Sequence, residues 1–192
     1  MKQFKFLKTI HFEYQLQLYE LISASIQKEL AHLEAKKNIN ELTIEEMHAL
    51  EFYKQSVQTL VESTFLQIYA KLEEALYYEC DPLLIKKKAS ISRFEPALSE
   101  LGYLVDNTHW NMLVNISKIR NCLLHGNGKL DSDRYGVDTK ETINALNLNA
   151  NTLLIEVIPL KDHKEGISKI KLNEPFLRYC FIEIKNFIHS QK

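Results

Sequence analysis

The chain is expected to fold as an all-α helical bundle with a small β-hairpin or loop insertion before its last helix. Long stretches whose apolar residues recur every three or four positions, a scarcity of breakers and helix-start signals ahead of several stretches together predict this class. Glycine and proline number only five and four in 192 residues, which favours long helices over many short strands joined by turns. With 45% apolar and 26% charged residues, the chain is long enough for one good core, so a single domain spanning 1–192 is the expectation.

Between residues 4 and 36, Leu7, Ile10, Tyr14, Leu18, Leu21 and Ile26 recur at three to five positions, as one buried face of a helix requires. A polar turn then leads to Thr43 and Glu46, whose spacing suits a capping box. The stripe that follows runs through Met47, Leu50, Val57, Val61, Phe65, Ile68, Leu72 and Ala75, with no glycine or proline before Asp81-Pro82. It is either one helix of nearly forty residues or two joined near Lys54.

Residues 83–92 read as a connector, and Ser92 with Glu95 offers a second capping box ahead of Leu98, Leu101 and Leu104. Asp106, Asn107 or Thr108 can cap the next helix, whose stripe is Met112, Ile116, Ile119 and Leu123, and Gly126 and Gly128 are expected to stop it. The region 129–172 differs in composition: a short helix is expected over 139–147, and TLLIEVI and ISKIKL read as two short strands. Asn173 is expected to cap the last helix, with Pro175 in its first turn and Leu177, Phe181, Ile184 and Ile188 along one face.

A net charge of -1 and a pI near 6.7 exclude a chain that binds nucleic acid by being basic overall. Any such contact has to be local. Cys80, Cys122 and Cys180 are odd in number and far apart, so neither a disulfide framework nor a zinc knuckle is expected, and a reducing cytoplasm fits best. The opening MKQFKFLKTI is interrupted by His11 and Glu13 before it reaches the length of a signal-peptide core. No segment approaches the ~20 apolar residues of a membrane span, so no membrane partner is expected. His11, His32, His48, His163 and His189 show neither i, i+4 pairing nor an HExxH grouping, so no metal site and no cofactor is expected.

The most informative stretch is IRNCLLHGNGKL, in which Asn121 follows Arg120 and His125 stands five residues after the arginine. It resembles the Arg-Asn-x-x-x-His motif of the HEPN superfamily, small helical domains found in toxin–antitoxin, abortive-infection and CRISPR-associated ribonucleases. The likeness extends beyond the letters: the motif falls late in an expected helix, follows two long helices, ends in a glycine-containing turn and precedes one more long helix. It covers the helical framework, 1–128 and 173–190, and leaves the insertion 129–172 outside.

The resemblance implies a metal-independent endoribonuclease, a toxin or antiviral defence effector that cleaves RNA by attack of the ribose 2'-hydroxyl on its own phosphate. The products it implies are a 2',3'-cyclic phosphate and a 5'-hydroxyl. The residue types suit that chemistry. An imidazole titrates near neutrality and can move the proton, while arginine stays charged and presents a planar fork of donors to phosphate oxygens. Arg120 and His125 are the expected catalytic pair, with Asn121 orienting them. A non-catalytic HEPN-like module that binds RNA, a nucleotide or a partner protein is the alternative, and a structural helical adaptor with an accidental motif is a third.

Geometry constrains the first reading. On one helix Arg120 and His125 lie about 140° apart around the axis and ~7.5 Å along it, so a continuous helix does not aim both at one phosphate. Either the helix ends near His125 and turns the ring, or two copies pool their residues across a twofold axis. The resemblance favours the second, and a homodimer is expected, with an antitoxin or defence-system protein as a further possible partner.

Secondary candidates surround this motif. Lys86, Lys87 and Lys88 form the densest basic cluster and can guide RNA, although a solvated connector is the safer reading of them. Ser117 and Lys118 on the motif helix are further candidate RNA contacts, and Glu73, or its neighbour Glu74, falls where some HEPN proteins place an acidic helper. Taken singly, Arg120 reads as a surface salt bridge and His125 as a helix C-cap. Cys122 reads as a small buried residue, and Tyr69, Tyr77 and Tyr78 as core, with base stacking the other option. HEPN toxins paired with nucleotidyltransferase antitoxins carry a tyrosine two residues beyond the histidine. Asn127 stands there instead, so control by modification of that tyrosine is not expected.

Overall fold

A computed structural model of the chain describes residues 9–87, 90–130, 136–160 and 167–190. Helix α1 spans Thr9–Asn38 and α2 spans Ile44–Glu79, followed by the short α3 (Glu95–Glu100), the motif helix α4 (Thr108–Gly126) and α5 (Val137–Ala150). Strands β1 (Ile155–Pro159) and β2 (Ser168–Leu172) form an antiparallel hairpin, Ile155 opposite Leu172, and α6 (Glu174–His189) closes the order. The chain is thus mostly helical with a two-stranded hairpin before its last helix, as its patterning predicts. No helix among the described residues is long and apolar enough to cross a membrane.

Helix α2 is a single helix, so the option of a break near Lys54 is not taken. Its start follows the sequence: the Thr43 hydroxyl accepts from the Glu46 amide, and the Glu46 carboxylate accepts from the Thr43 amide. Glu46 also pairs with Lys36 of α1, which ties the two helices together at their turn. The contacts with Lys36 and Thr43 hold the Glu46 carboxyl at about 2, well below its ordinary value.

On α1 the buried face differs from the expected one. Phe12, Tyr19, Ser23, Leu30 and Leu33 are buried, and Leu16 and Ile26 lean on the core between them. Together they step by four and three residues in alternation, the seam of an antiparallel helix pair. Tyr14, Leu18 and Leu21 of the expected stripe are exposed, while Leu7 and the Ile10 side chain lie outside the described residues. A three-four seam through a serine is camouflaged by a second apolar stripe beside it. Met47, the first residue of the α2 stripe, is exposed as well.

The main core joins α2, α4, α6 and the insertion, with Leu72, Leu98, Trp110, Leu113, Ile119, Phe176 and Phe187 fully buried. Burying a large apolar side chain of this kind contributes roughly 1.5–3 kcal/mol before entropy is counted. Leu130, Ile143, Leu146, Leu154, Ile155, Ile170 and Leu172 belong to the same core, so the insertion is built into the domain body rather than laid on it. The tip of the α1–α2 hairpin has its own small cluster around Leu30, Leu33 and Leu50.

Several expected caps are replaced. Ser90, not Ser92, caps the 3-10 turn Ile91–Phe94 that leads into α3, and α3 starts at Glu95 behind Phe94 without a side-chain cap. Helix α3 ends at Glu100 because Gly102 takes φ +82° and lets the Tyr103 amide bond back to Leu98; Leu104 is therefore outside the helix and exposed. Asn107 is the cap of α4, its carboxamide oxygen accepting from the Trp110 amide. Gly126 is still helical, and the left-handed positions that stop α4 are Asn127 and Gly128. Asn173 is the N-cap of α6 as expected, through its backbone carbonyl, which accepts from the Phe176 amide; its side chain donates to the Leu153 carbonyl rather than capping the helix. The α6 face is centred on Phe176, Leu177, Cys180, Ile184 and Phe187, with Phe181 and Ile188 at its edges.

Candidate functional site

The motif helix is nearly encased: Trp110, Leu113, Ile116, Ser117, Ile119 and Cys122 are all buried. This pins its rotation about its own axis, and with it the directions of Arg120 and His125. Arg120 faces α2. Its Nη2 donates to Glu73 Oε2 at 3.0 Å and its Nη1 to Asn121 Oδ1 at 2.9 Å. The buried Tyr69 ring lies beneath, with the guanidinium carbon 5.9 Å from its centroid, at the outer reach of a cation–π contact. Burial and the Glu73 carboxylate push the Tyr69 phenol far above its ordinary value, so it stays neutral.

Glu73 is shared. Its second oxygen accepts from Arg93 Nη2 at 3.3 Å, so one carboxylate holds two guanidinium groups and the cluster keeps a net positive charge. The Arg120–Glu73 pair is 22% and 13% exposed, too shielded to be a mere surface salt bridge and open enough for a ligand to reach. Glu73, expected as a possible acidic helper, lies against Arg120 of the motif. Arg93 was not singled out from the sequence. Its only signal is one basic residue in a short turn, and it reaches Glu73 because that 3-10 turn packs against α2.

His125 is exposed in the last turn of α4. It does not cap the helix, since Asn127 is the C-cap. Helix α4 ends at Gly126, one residue beyond His125. Asn121 lies one turn before His125 on its face, yet its carboxamide oxygen is committed to Arg120; it orients the arginine. Beyond the motif, the left-handed turn is clamped to the hairpin by the Ile170 amide donating to the Gly128 carbonyl.

The remaining candidates separate. Ser117 is 2% exposed, donates to the Val114 carbonyl and lies 3.2 Å from the Ser90 hydroxyl. It is a buried packing residue, which overturns the expectation that it contacts RNA. Lys118 is partly exposed on the face of His125, and Lys86 and Lys87 are exposed; Lys88 lies outside the described residues. Cys122 is buried, its thiol pushed up to about 11 by burial, as befits a core side chain rather than a nucleophile. Tyr69 is core as expected, whereas Tyr77 and Tyr78 project into solvent, contrary to the expectation of core packing for all three.

Comparison with protein-family models, with curated proteins and with solved structures found no match. The site therefore has to be read from its own chemistry. It consists of two guanidinium groups held by one carboxylate, which can bind an anionic group, with an exposed imidazole further along the helix that carries Arg120.

Proposed function

We propose that this chain is a metal-independent endoribonuclease of the HEPN kind, a toxin or antiviral defence effector acting as a homodimer. The observation that carries this reading is the Arg120 guanidinium, held between Glu73 and Asn121 on a Tyr69 floor, in a cluster with one cation in excess. A preorganised donor fork of this sort stabilises charge as it develops on a phosphate, at no reorganisation cost in the reaction. Each protomer's His125 stands exposed at the end of the same helix, where a second copy can meet it.

In this reading His125 takes the proton from the 2'-hydroxyl or delivers one to the departing 5'-oxygen. Arg120 neutralises the phosphorane, and Asn121 keeps the guanidinium in plane. The two side chains diverge on one helix, so pairing of copies supplies the convergence. A second reading, a non-catalytic module binding RNA, a nucleotide or a protein, draws on the engagement of Arg120 by Glu73, which already occupies part of its donor fork.

Incubation of total RNA with the pure protein in excess chelator separates the two. Cleavage to 2',3'-cyclic phosphate ends, reduced at least a hundred-fold by His125→Ala and by Arg120→Ala, is the expected result. Undiminished cleavage by His125→Ala overturns the nuclease assignment, and binding without cleavage by the wild type selects the second reading.

A further inference from the structure

Tyr77 and Tyr78, on the last turn of α2, are 54% and 65% exposed. They line a groove of about 290 Å³ together with Glu73, Glu74 and Arg93. Tyr77 lies one turn beyond Glu73 on the same helix face, and Tyr78 one turn beyond Glu74. The groove thus shares two residues, Glu73 and Arg93, with the Arg120 cluster, and the two sites are continuous.

Neither carboxylate makes the groove anionic. Glu73 is held by two guanidinium groups, and Glu74 pairs with Lys71 at 2.6 Å. What the groove offers a ligand is two phenol rings beside a guanidinium. Its size is at the small end of ligand sites, suited to one planar ring system rather than a large cofactor. Aromatic faces next to arginine, alongside a phosphate-binding cluster, are the elements of single-strand nucleic-acid recognition, in which bases stack on rings and cations follow the backbone.

We propose that Tyr77 and Tyr78 form a stacking site for an unpaired nucleobase of single-stranded RNA, with the adjoining phosphate directed toward Arg93 and Arg120. The inference rests on the ribonuclease reading for its ligand class and names the substrate form: unpaired rather than duplex, with little sequence preference, because every base has a face to stack. Duplex RNA, whose base faces are already stacked on one another, lacks what the rings would engage.

The test measures binding of a short labelled RNA, single-stranded or annealed to its complement, by anisotropy. Protein carrying His125→Ala serves as the parent, so that the RNA survives. Replacing Tyr77 and Tyr78 together by alanine is expected to weaken single-strand binding by about ten-fold or more, and replacing both by phenylalanine to leave it within about two-fold, since the rings remain. Both positions are exposed, so neither variant disturbs the core. Single-strand affinity that is unchanged in the alanine variant, or no preference over duplex, overturns the stacking site. Unchanged affinity alongside cleavage by the wild-type chain leaves the nuclease reading standing; ring-dependent binding with no cleavage sustains the base site and removes the nuclease. A chain that binds no RNA at all loses both.

Discussion

Glu73 stands between two guanidinium groups and governs both. Removing its charge leaves Arg93 and Arg120 facing each other in a partly shielded pocket, where the repulsion and the lost charged hydrogen bonds are expected to cost roughly 1–3 kcal/mol. Glu73→Gln should therefore lower the urea midpoint, and it should also slow RNA cleavage by letting Arg120 leave its plane. A variant as stable as the parent would show that the carboxylate does not hold the cluster. At this scale the sequence was generous with Arg120, Asn121 and His125, because a motif compresses them into six positions. It was silent on Arg93, whose bond to Glu73 spans twenty residues and depends on how a 3-10 turn docks. It misjudged Tyr77 and Tyr78 because an aromatic on a long helix carries no mark of which neighbour, if any, will cover it.

Among the elements, the α1–α2 hairpin shows how much of a helix pair can be read locally. The Thr43–Glu46 box and the length of α2 were legible, since capping and the absence of breakers are local properties. The seam of α1 was not, because two apolar stripes run side by side and only the partner helix selects one of them. The Lys36–Glu46 link across the turn yields a pH prediction. The Glu46 carboxyl is depressed to about 2 in the folded chain from an ordinary 4.5, so its contribution is complete above the ordinary value and is lost as pH falls toward 2. Urea midpoints of wild type and Glu46→Gln should differ near neutrality and converge as the solution is acidified through that window. A gap that stays constant with pH would show that the carboxylate's charge is not what matters.

For the whole molecule, the decisive question is whether two copies complete one site. A continuous α4 leaves Arg120 turned to α2 and His125 exposed at the helix end, so the proposed dimer predicts complementation. Arg120→Ala and His125→Ala proteins, each inactive, should recover roughly a quarter of wild-type cleavage when mixed and allowed to exchange. Random pairing makes half the dimers mixed, and one of the two sites in each is then intact. No recovery, with exchange verified by tagged copies, would place both groups in one protomer and remove the need for pairing.

The sequence by itself determined the helical class, the helix order, the hairpin before the last helix and the identity of the motif residues. Periodicity, breakers and short motifs are written in neighbouring positions. Only the tertiary structure decided which stripe of α1 is buried, that Leu130, α5 and the hairpin enter the common core, that Ser117 is sealed away, and that Glu73 joins Arg93 to Arg120. Those outcomes depend on how distant surfaces meet. A side chain's partners across a fold are set by the packing of whole elements, which local pattern constrains only to a face.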